Sequence, residues 1–515
     1  MKKILIIVIC IFIFSAFNLN AAEIIDNMLY VDVEIVPNAT TIEFSSPGTI
    51  IINEEDSPFQ LEFSNTSISI QIPDGIEIVP FWRIGIKKFA SQSEAEAFIV
   101  TFPECYAKEI PAISFDGTRF SIQNEFAVYL NNTFSSYEEA KLNAEVDSWI
   151  EENYEYSYCD LLIYDIEQQK DYYLRAPIRI ESSALITVEN VPRSNFWKPA
   201  EFVTREYESD LRVIINQIGK MNLIAHADFE NYVAGVIPNE IGTDSPMEAM
   251  KAQAIAARSE SLFRVLNGVH KDDGFDLCAS VHCQVFSGIT DINAVTESAV
   301  ENTRGIVGVY KGKIINAVYS TSCGGKTETC SNAWGGKEVP YLTSIYDGKG
   351  SNPYDLTQSY YAEKWIKNPQ LVFCNTQDDK GWVKNTYTWE KKYTLSNFQR
   401  MMSDKANFGT YVGYEVLERG ESGRIIKMKL KGSKGELLLE NELLIRQTLG
   451  GLRSSLFYIT KDSQYIRIIG RGSGHGVGMC QIGAINMAKQ GYSYDKILKH
   501  YFKGIGLKKI EYRNN

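Results

Sequence analysis

Between Gly470 and Gly483 the chain reads Gly-Arg-Gly-Ser-Gly-His-Gly-Val-Gly-Met-Cys-Gln-Ile-Gly, six glycines in fourteen residues around one histidine, His475. Glycine loses more conformational freedom on folding than any other residue and brings no side chain to a core. The run is therefore unfavourable as helix or strand, and it predicts a loop whose backbone turns sharply or lies close to something. Most glycine-rich stretches are surface loops. Whether this one is a site depends on what the rest of the chain places beside it.

At 515 residues the chain has room for several domains, and its net charge of −12 argues against nucleic acid as the main partner, since phosphate binding needs an excess of Lys and Arg. Lys2 and Lys3 precede an apolar run from Ile4 to Phe17, followed by the small residues Ala21 and Ala22. That run is short for a bilayer span, so residues 1–22 are expected to be a cleaved signal peptide rather than a membrane tether. The chain is then exported to the cell envelope, whether periplasm or cell wall. The cysteines beyond that segment (Cys105, Cys159, Cys278, Cys283, Cys323, Cys330, Cys374 and Cys480) would meet an oxidising compartment. Their pairing is not readable from spacing.

Residues 23–79 alternate apolar and polar side chains, as in Tyr30 to Val36 and Ser67 to Ile72, which predicts a β-rich segment. Residues 80–166 carry a weak repeat. Trp82 to Ser91 reads as a strand before the helix start Gln92 to Phe98, and Phe126 to Leu130 leads likewise into Phe134 to Ala140. Serines at the junctions supply N-caps, and the acidic residues that follow favour a helix start. Two strand–helix–strand units make a ferredoxin-like split βαβ. The pattern resembles the SPOR domain, a family that binds peptidoglycan glycan strands stripped of stem peptides. Residues 167–204 read as linker strands.

The chemistry gathers in residues 205–515. A hairpin is expected across Gln217 to Lys220. Glu240 then follows an apolar stretch and Pro238. A carboxylate at the edge of an apolar wall has a raised pKa and can donate a proton, whereas a lone Glu in a loop is more often just solvated. A helix is expected from the Ser245 N-cap to Gly268, with Pro246 in its first turn and Glu248 completing a capping box. Arg258 on this helix either forms an ion pair or holds a substrate oxygen. Cys278, His282 and Cys283, with His270 upstream as the weakest-marked fourth ligand, have zinc-type side chains, while a disulfide or buried thiols remain the alternative. A hairpin turning at Lys311-Gly312 delivers Ser320-Thr-Ser-Cys-Gly-Gly-Lys-Thr-Glu328, a hydroxyl- and glycine-rich exit that can present donors to a polar ligand. Trp334 nearby suits sugar stacking.

Four of these stretches, Tyr232 to Glu240, Met250 to Arg258, Ser320 to Glu328 and Gly470 to Gly483, resemble in order the stage II sporulation protein D / LytB family. Arg446, Leu449-Gly450, Leu452 to Ser455 and Ala488 to Phe502 add to the match, which spans about 205–511. Ser473 departs from an aromatic common in relatives and Cys480 from a serine. The resemblance implies an α+β multidomain protein whose C-terminal domain holds a substrate cleft. The implied activity is that of a peptidoglycan lytic transglycosylase, which cleaves between N-acetylmuramic acid and N-acetylglucosamine in denuded strands and leaves a 1,6-anhydro end. Glu240 takes the place of the catalytic acid. Arg258, Ser320, Thr321, Ser322, Gly324, Gly325, Lys326, Gly474, His475, Gly476 and Gln481 are expected to line the cleft. The chemistry needs no cofactor. A structural zinc at Cys278, His282, Cys283 and His270 is implied by relatives that carry zinc there. The alternative function is a glycan-binding, non-catalytic activator of a peptidoglycan amidase.

Overall fold

A computed structural model describes residues 22–512 apart from 56, 73–77, 157–159, 194–200, 209, 377–385 and 404–407. The expected signal segment, Ala22 excepted, and Cys159 lie outside the described residues. The largest element is a twelve-stranded sheet that ignores the expected divisions of the chain. Its main path runs Glu23–Ile25, Met28–Ala39, Met221–Asp228, Asp210–Ile215, Ile178–Ser182, Thr41–Glu54, Gln60–Gln71, Asp160–Asp165 and Lys170–Arg175. Ile186–Arg193 pairs with both Thr41–Glu54 and Glu201–Tyr207, and Leu277–Cys278 adds in parallel to Met28–Ala39. Residues 23–79, expected to stand apart, and 167–204, expected as linker, therefore share a sheet with the hairpin that opens 205–515. The alternation itself is as read: Val31, Val33, Ile50, Ile52, Ile178 and Ile180 are all fully buried. Period-two alternation says which face is buried but not which strand lies alongside, so the pairing was not legible.

Residues 78–156 form a ferredoxin-like unit, whereas Asp160–Asp165, inside the expected bounds of 80–166, belongs to the twelve-stranded sheet. Ile78–Phe89, the helix Gln92–Thr101, Cys105–Phe115, Arg119–Leu130, the helix Tyr137–Asn143 and Trp149–Tyr156 follow one another. In space the strands lie in the order fourth, first, third, second. The serine caps are in place: Ser91 Oγ accepts from Glu94 N at 3.4 Å and Ser136 Oγ from Glu139 N at 3.2 Å. The chain end, Glu511–Tyr512, adds in parallel to Arg119–Leu130 and ties this unit to the C-terminal region.

Residues 388–471 build a second apolar core around Phe398, Met428, Leu430, Ile445, Phe457 and Ile468. The glycine-rich run leaves this core at the end of Tyr465–Arg471. It returns to the main core at Met479–Cys480, which pairs in parallel with Tyr319–Ser320, and continues into the helix Gln481–Lys489. The run is thus a bridge between two cores rather than a loop hanging in solvent. Among the described residues no helix is long and apolar enough to cross a membrane.

Candidate functional site

Glu240 ends a helix, Phe229–Glu240, where the sequence suggested a loop. Asp228 caps it by accepting from Glu230 N at 3.0 Å and Asn231 N at 2.9 Å. Pro238 lies inside this helix, where a proline removes a hydrogen bond and crowds the preceding turn. Here it falls in the last turn, where Asn239 Nδ2 and Ser287 Oγ both donate to the Gly235 carbonyl, at 3.2 and 3.1 Å. Phe229, Tyr232, Val233, Val236 and Ile237 are buried, which fixes Glu240 at the edge of the core.

The long helix Met247–Leu266 lies against it. Its start differs from expectation: Pro246 occupies the N-cap, Ser245 Oγ donates back to Ile241 O at 2.6 Å, and Glu248 is engaged by Lys251 and by Tyr494 N. The functional consequence lies further along, where Gln253 and Glu260 face Glu240. Gln481 Nε2, from the end of the glycine-rich run, is 3.2 Å from Glu240 Oε2 and 3.4 Å from Gln253 Oε1. Burial first, then the Glu260 carboxylate, push Glu240 up to about 7, against the hydrogen bond from Gln481 that pulls it down. A position at the negative end of a helix adds to the same effect. Burial, reinforced by Glu240 and Glu260, also drives the Tyr319 phenol well above its usual range, so its hydroxyl stays a donor at neutral pH.

His475 sits beside this group with both nitrogens committed to backbone. Nδ1 accepts from Val477 N at 3.0 Å, which leaves Nε2 to carry the proton and donate to Tyr319 O at 3.0 Å. Burial, together with Arg424 and Arg446, depresses the imidazole to about 3. His475 is therefore a neutral brace for the run, not a proton donor. Trp334, half-exposed, lies over it with ring centroids 4.8 Å apart. The glycines are required by close approach. Gly476 has φ +77°, and a Cβ there would fall 2.3 Å from the guanidinium carbon of Arg424. Gly478 has φ +71°, and a Cβ would meet Val318 O at 2.1 Å. Gly476→Ala is expected to cost about 1–3 kcal/mol from the backbone alone, read as a lower urea midpoint.

Several expected cleft residues are placed otherwise. Arg258 has no exposure and cannot reach a substrate. Its Nη2 lies 2.6 Å and its Nε 3.0 Å from the carboxylate of Glu230, and its Nη1 donates to Ile306 O at 3.0 Å. Ser320, Ser322, Gly324, Gly325 and Gly476 are buried, because the Ser320–Glu328 stretch threads between the two cores. Gly324 is packed against Leu456 and Gly472, and Gly325 under Trp365. Lys326 turns toward Glu421 at 3.8 Å. Thr321, Lys326, Gly474 and His475 keep partial exposure. The residues not foreseen are Tyr319, Gln253 and Glu260. Tyr319 immediately precedes the Ser320 motif and Gln253 lies inside the Met250–Arg258 motif, so position within motifs was the available signal.

The four metal-type residues do converge. The donor atoms of His270, Cys278, His282 and Cys283 lie within 4.8 Å of one another. Cys283 Sγ is 3.4 Å from His270 Nε2, and both sulfurs are 3.7 Å from His282 Nδ1. Donors around a tetrahedral zinc lie roughly 3.5 Å apart, so the set fits that ion. Asp273 Oδ2 holds His270 Nδ1 at 2.8 Å, as carboxylates commonly orient a ligating imidazole. With four protein ligands such a site is closed and structural. An ion held there would anchor the segment whose Gln284 donates to Glu260 Oε2 at 3.0 Å, beside the carboxylate that raises Glu240.

A sequence profile described as "Stage II sporulation protein" matches residues 217–310, which hold Glu240, Gln253, Glu260 and the Cys/His cluster. An uncharacterized protein of Brachyspira hyodysenteriae is 32% identical over 304 residues, covering 58% of this chain and 69% of that protein. The stage II sporulation protein D of Bacillus amyloliquefaciens is 27% identical over 301 residues, covering 56% and 76%. The chain belongs to the stage II sporulation protein D family. A further family member in Bacillus subtilis, named amidase enhancer, is 32% identical over 299 residues, 53% of this chain but 40% of its own length. A domain of unknown function matches 328–478, which takes in the second core. The stage II sporulation protein D profile therefore covers the Glu240 helix and the long helix, and the second profile covers most of the glycine-rich run that closes over them.

Proposed function

We propose that this chain is a peptidoglycan lytic transglycosylase of the cell envelope that cleaves denuded glycan strands with Glu240 as its acid. The observation that carries this reading is the Glu240 carboxyl group at a helix end, hydrogen-bonded to Gln481 of the glycine-rich run, where burial raises its pKa to about 7. Near neutral pH such a group exists in both protonation states, as a group that must first give and then take a proton requires. Protonated Glu240 donates to the glycosidic oxygen, and the bond to the muramyl anomeric carbon breaks. The resulting carboxylate takes the proton of the muramyl 6-hydroxyl as that oxygen closes on the anomeric carbon. No water is activated, so no second carboxylate of the kind used by glycoside hydrolases is needed. Glu260 acts only on the charge of Glu240.

Thr321 and Lys326, on the stretch that follows Tyr319, keep partial exposure and offer a hydroxyl and an ammonium to the polar groups of a sugar. Trp334 supplies an apolar face at the rim, and Trp334→Ala is expected to weaken glycan binding roughly tenfold, about 1.4 kcal/mol, without moving the pH profile. Titration with muramidase-resistant, amidase-treated strands measures it. The ferredoxin-like unit, by its resemblance to SPOR domains, is the second contact for the strand.

A relative's name favours one other reading, a glycan-binding activator of a peptidoglycan amidase. The deciding experiment incubates the purified mature chain with amidase-treated glycan strands and assays by mass spectrometry for 1,6-anhydro-muramyl ends. Such ends support the proposal. Their absence, with amidase stimulation retained, sinks it in favour of the activator.

A further inference from the structure

Cys323, Asp347, Cys374 and Cys480 come from four separate stretches and meet in the interior, each with no exposure. Their donor atoms lie within 4.8 Å of one another. Cys323 Sγ is 3.6 Å from Cys374 Sγ and 3.3 Å from Asp347 Oδ2. Backbone groups are turned toward the same donors: Cys323 N is 3.2 Å from Cys480 Sγ, and Cys374 N is 3.1 Å from Asp347 Oδ2. The other carboxylate oxygen, Asp347 Oδ1, accepts from Tyr501 Oη at 2.7 Å, with His500 Nε2 at 3.6 Å.

We infer that Cys323, Asp347, Cys374 and Cys480 bind one zinc ion in a closed site separate from the Cys/His cluster. Three arguments support this. The spacing suits it, because sulfurs bound to tetrahedral zinc lie roughly 3.8 Å apart and a sulfur and a carboxylate oxygen roughly 3.6 Å apart. The burial points the same way, because a carboxylate shut away from water is paired or coordinates a metal, and the charged side chain found beside Asp347 is a histidine at 3.6 Å. The donor set selects it, because three thiolates and one carboxylate favour a soft divalent ion over calcium or magnesium. Tyr501 then orients the carboxylate from outside, as second-layer partners of metal ligands do. On binding, the three thiols release their protons to solvent and four bonds to zinc form, with no oxidant consumed. A Cys323–Cys374 disulfide is the competing state for an exported chain, and it would leave Cys480 outside the bond.

The site joins the two walls of the candidate centre. Cys480 immediately precedes Gln481, which holds Glu240, and Cys323 lies between Ser322 and Gly324 in the stretch beside it. Zinc here fixes the glycine-rich run whether the protein cuts glycan or only binds it, so the inference does not depend on the proposed activity.

The test is metal content of the full mature chain, purified without reductant or chelator and measured by inductively coupled plasma mass spectrometry. Two zinc ions per chain are expected for the wild type. Cys374→Ser is expected to lose one, and His282→Ala to lose the other while keeping this one. Alkylation in denaturant without prior reduction should modify Cys323, Cys374 and Cys480 alike. A zinc count that Cys374→Ser leaves unchanged, or a chain in which Cys323 and Cys374 resist alkylation as a disulfide, overturns the inference. If neither variant folds, the wild-type count decides: two ions support it, one or none refutes it.

Discussion

Glu240→Gln is expected to slow formation of anhydro-muramyl ends by roughly 10²–10⁴-fold, the usual contribution of a general acid, with glycan binding unchanged. Gln keeps the shape and an acceptor for Gln481 but cannot transfer a proton. The wild-type rate should fall as pH rises through about 7, because the donor must be protonated and its burial beside Glu260 places its pKa there. The residual rate of the variant should lack that limb. Stability should fall with rising pH as activity does, while the substitution moves the two in opposite directions. The folded-state pKa lies above the ordinary value of 4.5, so the folded protein favours protonated Glu240. That advantage is complete below the ordinary value and is lost as pH rises through about 7. A permanently neutral Gln escapes the loss, and the variant should melt higher than wild type above neutral pH. A variant that cleaves at the wild-type rate would remove Glu240 from the chemistry.

Glu230→Ala carries the largest expected effect on folding. Arg258 is buried with no exposure, and Glu230 accepts from it, from Gly305 N at 3.1 Å and from Tyr512 Oη at 3.5 Å. One carboxylate thereby joins the start of the Glu240 helix, the middle of the long helix, the turn after Ala294–Glu301 and the chain terminus. Removing it leaves a guanidinium in the interior without a counter-charge, a change that costs about 3–5 kcal/mol. The fall should appear as a lower denaturant midpoint. A double replacement, Glu230→Leu with Arg258→Met, should recover most of the loss, since well-packed apolar pairs often match a buried ion pair. If Glu230→Ala alone is as stable as wild type, the pair does not hold these elements together.

Glu240 and Gln481 lie in two separate family motifs that the fold brings together, and the Cys/His side chains flagged by type converge as well, but the roles of motif residues were unevenly legible. Arg258 lay in a matching motif as strongly as Glu240 did. Nothing in its neighbourhood along the chain distinguished a substrate contact from an internal ion pair. The glycine-rich run was read correctly as backbone coming close to something. The partners are protein, Arg424 and Val318, at the positions where Cβ atoms would collide. The helix ending at Glu240 was missed because Pro238 marks a break in local terms, and Ser287, far along the chain, joins Asn239 in satisfying that turn.

The sequence by itself determined the local elements. Turn chemistry at Lys311-Gly312 set a hairpin, Ser91 and Ser136 set helix starts, alternation set the buried faces of strands, and glycine set where backbone could pass at close range. These depend on neighbours a few residues away. The tertiary structure alone decided which acids have a raised pKa, Glu34 and Asp276 as well as Glu240. Glu230, Glu240, Glu260 and Glu328 are all part-buried or buried carboxylates. Glu230 is paired with Arg258 and Glu328 accepts from Ser422, while Glu240 meets neutral donors, among them an amide 241 residues away in sequence. A pKa is set by lost water and by charges a few ångströms off, and chain folding, not chain order, brings those to a side chain. The same holds for Cys323, Asp347, Cys374 and Cys480: no spacing along the chain announces the cluster, because four distant segments supply one ligand each.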